Sequence, residues 1–444
     1  MRLNFKTSYQ QFSHEGAPAF AHLSTEQVLR RSVLSCLLWE KQFYEDGQDI
    51  AERIRENALK VAPQVLADLA VEARERFNLR HAPLLLLSVL ARTGKGSSLV
   101  SKTIARVIQR ADELSEFLVV YAVANGVTPD KIKPKLSAQV KKGLATAFKK
   151  FDQYALTKYD RQGAVRLRDV LFLTHPSPET VEQAELWRGL VDGTLTAPDT
   201  WEVALSSGAD KKETFERLLK EGNLGYLALL RNLRNMADSG VDAALVRDAI
   251  LARKGARRVL PFRYIAAARA APQFEPYLDQ SLSEAVAAMP VLDGLTAILV
   301  DVSGSMDARL SERSDLTRMD AAAALASIVH GDVRVFTFSE QVIEIPPRRG
   351  MAGVDAITRS QMHSGTYLGA AVEFLNREIK HDRLIVVTDE QSHDRVPDPV
   401  APKSYLINVG SYRNGVGYGR WTHIDGFSEQ VLRFIVENES AATR

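Results

Sequence analysis

The chain has 444 residues, 45% hydrophobic and 25% charged, which is too long for one hydrophobic core and too ordinary in composition for general disorder. A net charge of +2 conceals a split: residues 1–290 hold 41 Lys and Arg against 34 Asp and Glu, and residues 291–444 hold 16 against 21. That split hints that the first part meets an anion and the second a cation. The longest apolar run, Ala82 to Leu90, is far short of the roughly 20 residues a bilayer span needs, so no membrane partner is expected, and MRLNFKTSYQQF has no apolar segment of a secretion signal.

Helices follow one another through the first two-thirds. Thr25 to Tyr44 sets Val28, Leu29, Val33, Leu37 and Leu38 at helical spacing behind a Ser24 cap. Cys36, the only cysteine, excludes an internal disulfide and a cysteine zinc cluster, reads as a buried structural thiol, and fits a reducing cytoplasm. Pro63 opens the next helix, and His81 to Arg92, apolar nearly all round, reads as a central packed helix. Further helices are expected over 99–110, 114–125, 138–156, 180–191, 200–205, 211–221, 223–236 and 242–252, joined by short Gly, Pro, Asn or Asp links. Helix pairs of this size suit an α-solenoid of the HEAT type, with an extended curved surface.

Near residue 290 the pattern changes. Strands are expected over 295–300, 333–338, 341–345, 384–388 and 404–409, and helices over 318–330, 367–379 and 430–437. Such alternation argues for an open α/β sheet of the Rossmann-like kind, with ligands at the carboxyl ends of its strands.

Asp301-Val302-Ser303-Gly304-Ser305 follows the first of these strands as D-x-S-x-S. Alternation turns three oxygen-bearing side chains towards one point, with Gly304 read as allowing a tight turn. Hydroxyls and carboxylates are the donors that hard divalent cations prefer: Mg2+ in the first instance, with Mn2+ or Ca2+ as other choices. Thr366 precedes a helix, and Asp389 ends an apolar strand. The plainer reading makes Ser303 and Ser305 helix caps and Asp389 a turn residue. In order and spacing the set Asp301, Ser303, Ser305, Thr366 and Asp389 resembles the metal-ion-dependent adhesion site of von Willebrand A domains, over about 290–444. The resemblance implies that the Ser pair and Thr366 bind the ion directly while the two Asp residues act mainly through water. It also implies an ion able to accept an acidic group from a partner.

Upstream lie Leu156-Thr157-Lys158-Tyr159, Leu167-Arg168-Asp169-Val170-Leu171, Leu173-Thr174-His175-Pro176, the run Ala228 to Met236, and Val259-Leu260-Pro261-Phe262-Arg263-Tyr264. In this order, before an A-type module, they resemble the TROVE module of Ro-type RNA-binding proteins over nearly the whole chain. The resemblance implies a helical solenoid over 1–290 closed into a ring by an A-type domain over 291–444. It implies single-stranded 3′ ends of misfolded RNA in the ring and small noncoding Y-like RNA on its rim. Lys158 and His175 match RNA-contacting positions. A family arginine between them falls on Gln162, with Arg161 beside it as a substitute.

The residue chemistry agrees, since lysines neutralise phosphates and a histidine ring bonds or stacks on an unpaired base. The upstream lysines 131, 133, 135, 141, 142, 149 and 150 read either as a basic surface or as a solvated helix face. His175 can equally be a packed loop histidine, and Arg231, Asn232, Arg234 and Asn235 are read as structural. Thr93-Gly94-Lys95-Gly96-Ser97-Ser98 fails as a phosphate loop because position 89 is Val. No nucleophile elbow, zinc spacing or acid–base pair is visible, so no enzyme is expected. The expected function is an RNA-binding scaffold, a monomer working in RNA quality control with an exoribonuclease or an RNA-repair enzyme as a further partner. The alternative is a metal-dependent module that captures an acidic residue of a protein partner.

Overall fold

A computed structural model describes residues 12–18, 24–34, 47–77, 79–126, 136–160, 163–196, 199–256, 259, 261–287, 291–309, 316–346, 348–410, 412, 414–426, 431–432, 435–436 and 438–439. A mostly helical N-terminal region precedes a C-terminal mixed α/β sheet domain. The chain forms two compact units: Ser24–Trp39 with Gly47–Asp199, and Met1–Leu23 with Glu40–Asp46 and Thr200–Arg444. Cys36, Arg161, Gln162 and lysines 131, 133 and 135 lie outside the described residues, as do 35–44 of the first expected helix and part of the closing one.

The first unit is built from helices over Thr25–Leu34, Gly47–Ala58, Pro63–Glu75, His81–Thr93, Ser98–Val107, Ala111–Ala124, Ala138–Phe148, Gln153–Tyr159, Leu167–Thr174 and Val181–Asp192. Their starts carry the caps that satisfy otherwise unpaired amides. Ser97, Ser137, Asp152 and Thr180 each accept an N–H of the turn they open. His81–Thr93 is the central helix, with every residue from Ala82 to Ala91 buried. It packs on Pro63–Glu75 and Ala111–Ala124, as stacked helix pairs do.

The helix expected over 138–156 is two helices. Asp152 accepts the Ala155 N–H at 2.8 Å and restarts the chain. Lys150 in the break turns back to cap the end of Ser98–Val107, donating to the carbonyls of Ala105 and, at 2.6 Å, Ile108.

In the second unit a six-stranded sheet is formed by β1 (Val291–Asp301), β2 (His330–Phe338), β3 (Val342–Ile345), β4 (Arg383–Thr388), β5 (Lys403–Asn408) and β6 (Thr422–Asp425). Its order is β3-β2-β1-β4-β5-β6, with β3 antiparallel and the rest parallel. Alternation along the strands buries both faces. Ile298, Val300, Ile385, Val387 and Ile407 share one core with helices Arg318–Ile328 and Gly350–Thr358, while Leu299, Leu384, Val386 and Leu406 face Leu368–Glu378 on the other side.

Every residue of Arg318–Ile328 is buried, because helices Gly350–Thr358 and Pro261–Ala270 both pack on the sides that the sheet leaves. Arg269 crosses to Asp320 at 2.6 Å. Phe215, Tyr226, Leu233 and Tyr264 belong to the same apolar cluster as Ile298 and Val300. The change from helix to strand between Ala287 and Val291 is therefore not a change of core.

Candidate functional site

From β1 the chain moves to β2 and β3 on one side, then returns to β4 on the other. The carboxyl ends of β1 and β4 thus flank the point where strand order reverses, the place an open α/β sheet offers a ligand. Asp301 ends β1, and Asp389 follows β4 directly.

The loops there are tied together. Asp301 Oδ1 accepts the Ser303 N–H at 2.9 Å, and its Oδ2 accepts the Thr388 hydroxyl at 2.6 Å. The hydroxyls of Ser303 and Ser305 lie 3.4 Å apart. Gly304 donates its N–H to the Ser364 carbonyl at 3.1 Å, which joins the serine loop to the segment carrying Thr366. Ser339, beyond β2, clamps that segment: its hydroxyl donates to the Gly365 carbonyl at 2.8 Å and accepts the Ser364 N–H at 3.0 Å. Asp394 accepts the N–H groups of Gly369 and Ala370, so a residue past β4 caps helix Leu368–Glu378. Gly304 itself has no left-handed φ, and a Cβ there would meet carbonyl oxygens at an ordinary 3.6 Å. The turn does not demand a glycine, contrary to the sequence reading.

Asp301, Ser303, Ser305, Thr366 and Asp389 are all at most 5% exposed. Burial, and next the charge of Asp389, push the Asp301 carboxyl up to about 7. Burial also raises Asp389, against the opposing pull of the Arg318 guanidinium. Asp389 Oδ2 is buried with no hydrogen-bond partner, and Arg318 Nη1 stands off at 3.7 Å. An unsatisfied carboxylate oxygen beside a pair of hydroxyls is a donor set that fits a hard divalent cation. Among the described residues no three His, Cys, Asp or Glu side chains gather where they could hold a metal ion.

Sequence reasoning missed the surroundings. Arg318 donates to the Tyr412 hydroxyl at 2.5 Å and lies over its ring at 5.0 Å. Glu390 sits at φ +62, an uncommon conformation for a residue with a side chain, and its carboxylate bonds His423, on which Tyr418 stacks at 4.0 Å. Residues 12–18 dock on the loop after Asp389. His14 N–H donates to Gln391 at 2.6 Å, Ser13 donates to the Ser392 carbonyl at 2.8 Å, and Glu15 pairs with His393 at 2.9 Å. The Thr366 N–H in turn donates to His393 Nδ1 at 3.1 Å. No local motif announces Arg318, Tyr412, His423 or residues 13–15, since each arrives from a distant part of the chain.

Lys158 and His175 both belong to the first unit. Lys158, half-buried in the last turn of Gln153–Tyr159, donates to the Tyr154 hydroxyl at 3.2 Å. His175 is exposed and ends helix Leu167–Thr174 in the left-handed conformation, φ +50, ahead of Pro176. Of the described upstream lysines, Lys141 and Lys142 are exposed, Lys149 pairs with Glu179 at 3.1 Å, and Lys150 caps a helix. Asn232, Arg234 and Asn235 make intramolecular bonds, to the Ala228 carbonyl, the Ala270 carbonyl and Asn232 respectively.

A TROVE domain matches residues 193–287, and a von Willebrand factor type A domain matches residues 296–391. The second match contains all five candidate metal donors, whereas Lys158 and His175 lie upstream of the first. Mouse (Mus musculus) telomerase protein component 1 is 33% identical over 94 residues, which are 20% of this chain and only 4% of that protein's length. The crystal structure of the Deinococcus radiodurans Ro (RSR) protein superposes with a TM-score of 0.62 at 18% identity, over 94% of this chain and 100% of that one. The chain thus carries a TROVE domain followed by a C-terminal von Willebrand factor type A domain, on a fold shared with the Deinococcus Ro protein.

Proposed function

We propose that this protein is a non-catalytic RNA-binding scaffold of the Ro kind, acting as a cytoplasmic monomer. In this reading residues 1–290 are the RNA-binding module and 291–444 the A-type module. Its ligands are small noncoding, Y-like RNA and the single-stranded 3′ ends of misfolded RNA, presented to an exoribonuclease or an RNA-repair enzyme. The observation that carries it is the TROVE match combined with a cation and an exposed histidine, Lys158 and His175, closing two successive helices. Their chemistry suits a phosphate backbone and an unpaired base. Arg161 is proposed as the third contact.

At the switch point of the sheet, Ser303, Ser305 and Thr366 would hold a divalent cation, Mg2+ by preference, with Asp301 and Asp389 acting through water. The cation would supply a fixed positive charge there. Capture of a partner's acidic side chain at that ion is less favoured, because the donors are buried and Glu15 already sits at the rim.

The test is titration of the full chain with a hairpin RNA, with and without a single-stranded 3′ tail, at two salt concentrations. Tail-dependent, salt-sensitive binding is expected, and joint replacement of Lys158, Arg161 and His175 by Ala should weaken it. Unchanged affinity would remove the site assignment. Loss of a bound protein but not of RNA in Asp301→Ala would favour the other reading.

A further inference from the structure

Large exposed aromatic rings lie three or four residues before each of the two side chains proposed above to contact RNA. Tyr154, 49% exposed, lies four residues before Lys158, whose ammonium stands 5.4 Å from the centre of the Tyr154 ring. Phe172, 53% exposed, lies three residues before His175 on helix Leu167–Thr174. Residues three or four apart share a helix face. Tyr154 and Lys158 therefore share one face of Gln153–Tyr159, an ammonium beside an exposed ring, while Phe172 lies exposed in the last turn before His175 leaves the helix in the left-handed conformation.

Helix packing does not account for these rings. Leu156, Leu167 and Val170 supply the buried contacts of the two short helices, while Tyr154 and Phe172 point away from that core. Tyr159, by contrast, is already covered by the Arg110 guanidinium at 4.7 Å. The nearby negative charge of Asp160 is taken up by Arg166 at 2.7 Å, so it does not oppose a polyanion there. Exposing such rings costs hydration free energy, and a planar ring beside a cation is the arrangement that holds an unpaired base while its phosphate is neutralised.

Resting on the RNA-binding reading above, we propose that Tyr154 and Phe172 are base-stacking platforms. Each takes one unpaired nucleobase of a single-stranded RNA whose backbone is held by Lys158 and His175. The pairing divides the labour. Lys158 contributes the salt-dependent, sequence-independent part of the affinity, and the rings contribute a salt-independent part that needs a base but not a particular one.

The test uses the full chain and a hairpin RNA with a 3′ uridine tail, against the same hairpin with a tail of abasic ribose phosphates. Wild type should prefer the base-bearing tail. Tyr154→Ala and Phe172→Ala should each weaken binding of that tail about tenfold, the usual scale of one base–aromatic stack. They should leave the salt slope and the affinity for the abasic tail unchanged. Tyr154→Phe should bind like wild type, and unchanged thermal unfolding would confirm that these surface changes spare the fold.

If both alanine variants bind the uridine tail as wild type does while Lys158→Ala weakens it, the stacking proposal is overturned and the rings belong to a protein contact. If Lys158→Ala and His175→Ala change nothing while the ring variants lose affinity, stacking stands and the backbone assignment falls. If wild type binds neither tail, both readings fall together.

Discussion

A carboxyl that titrates near neutrality inside a folded protein makes stability depend on pH in a defined direction. Asp301 is pushed up to about 7 by burial and then by the charge of Asp389. The folded chain holds that proton more tightly than the unfolded one, whose ordinary value is about 4. Without metal, the stabilisation from this proton is complete below about pH 4 and is lost as pH rises through about 7. A divalent cation favours the ionised pair, so added Mg2+ should stabilise most where the metal-free protein has weakened. Denaturant midpoints between about pH 5 and 8, in chelator and in Mg2+, give the comparison. A flat chelator curve would show that Asp301 is not the buried acid the structure makes it. That Asp301, Ser303, Ser305 and Asp389 gather at the strand ends was legible because D-x-S-x-S and Asp389 each follow an apolar strand, and Thr366 was placed by the helix it precedes. Arg318, Glu15 and His423 were not, because their place at the site depends on how remote elements pack.

At the scale of elements, Lys150 shows how a residue type can mislead. In sequence it continues a run of lysines that invites a phosphate-binding reading. In the structure its ammonium is held by the carbonyls of Ala105 and Ile108, and burial lowers its pKa. Lys150→Ala is expected to leave RNA affinity untouched and to cost about 1 kcal/mol of stability, the scale of a lost helix cap, read from chemical unfolding. A weakened RNA complex with normal stability would return Lys150 to the binding surface. The same break explains why one long helix was expected over 138–156. Helical periodicity continues through the break, but the Asp152 cap interrupts the backbone. Strands β1, β2, β4 and β5 were legible as apolar, β-prone runs. Edge strand β3 was legible in the alternating run 341–345, whereas edge strand β6, Thr422-His423-Ile424-Asp425, has a single aliphatic residue and carries no apolar run to mark it.

For the whole molecule, element type and core membership part company. The sequence changes from helical to alternating near 290, yet Arg318–Ile328 is buried on all sides between the sheet, Gly350–Thr358 and, from the helical region, Pro261–Ala270. Periodicity reports which face of an element is apolar, not which neighbour covers it, so this shared core was invisible in the sequence. A fragment of residues 291–444 should therefore expose an apolar helix face, including Ala322, Leu325 and Ala326, and should leave Asp320 without its Arg269 partner. We expect it to bind a hydrophobic dye and to melt several degrees below a fragment of residues 200–444, at roughly 3 °C per kcal/mol lost for a chain of this size. Equal, cooperative melting of the two fragments would mean that the sheet and its own helices form a self-sufficient core. In that case the helices over 200–287 would be attached to the A-type module without being needed to complete it. A lower melt would make the TROVE-matched segment a structural part of the unit that holds the candidate metal site, and would leave Ser24–Trp39 and Gly47–Asp199 as the unit that carries Lys158 and His175.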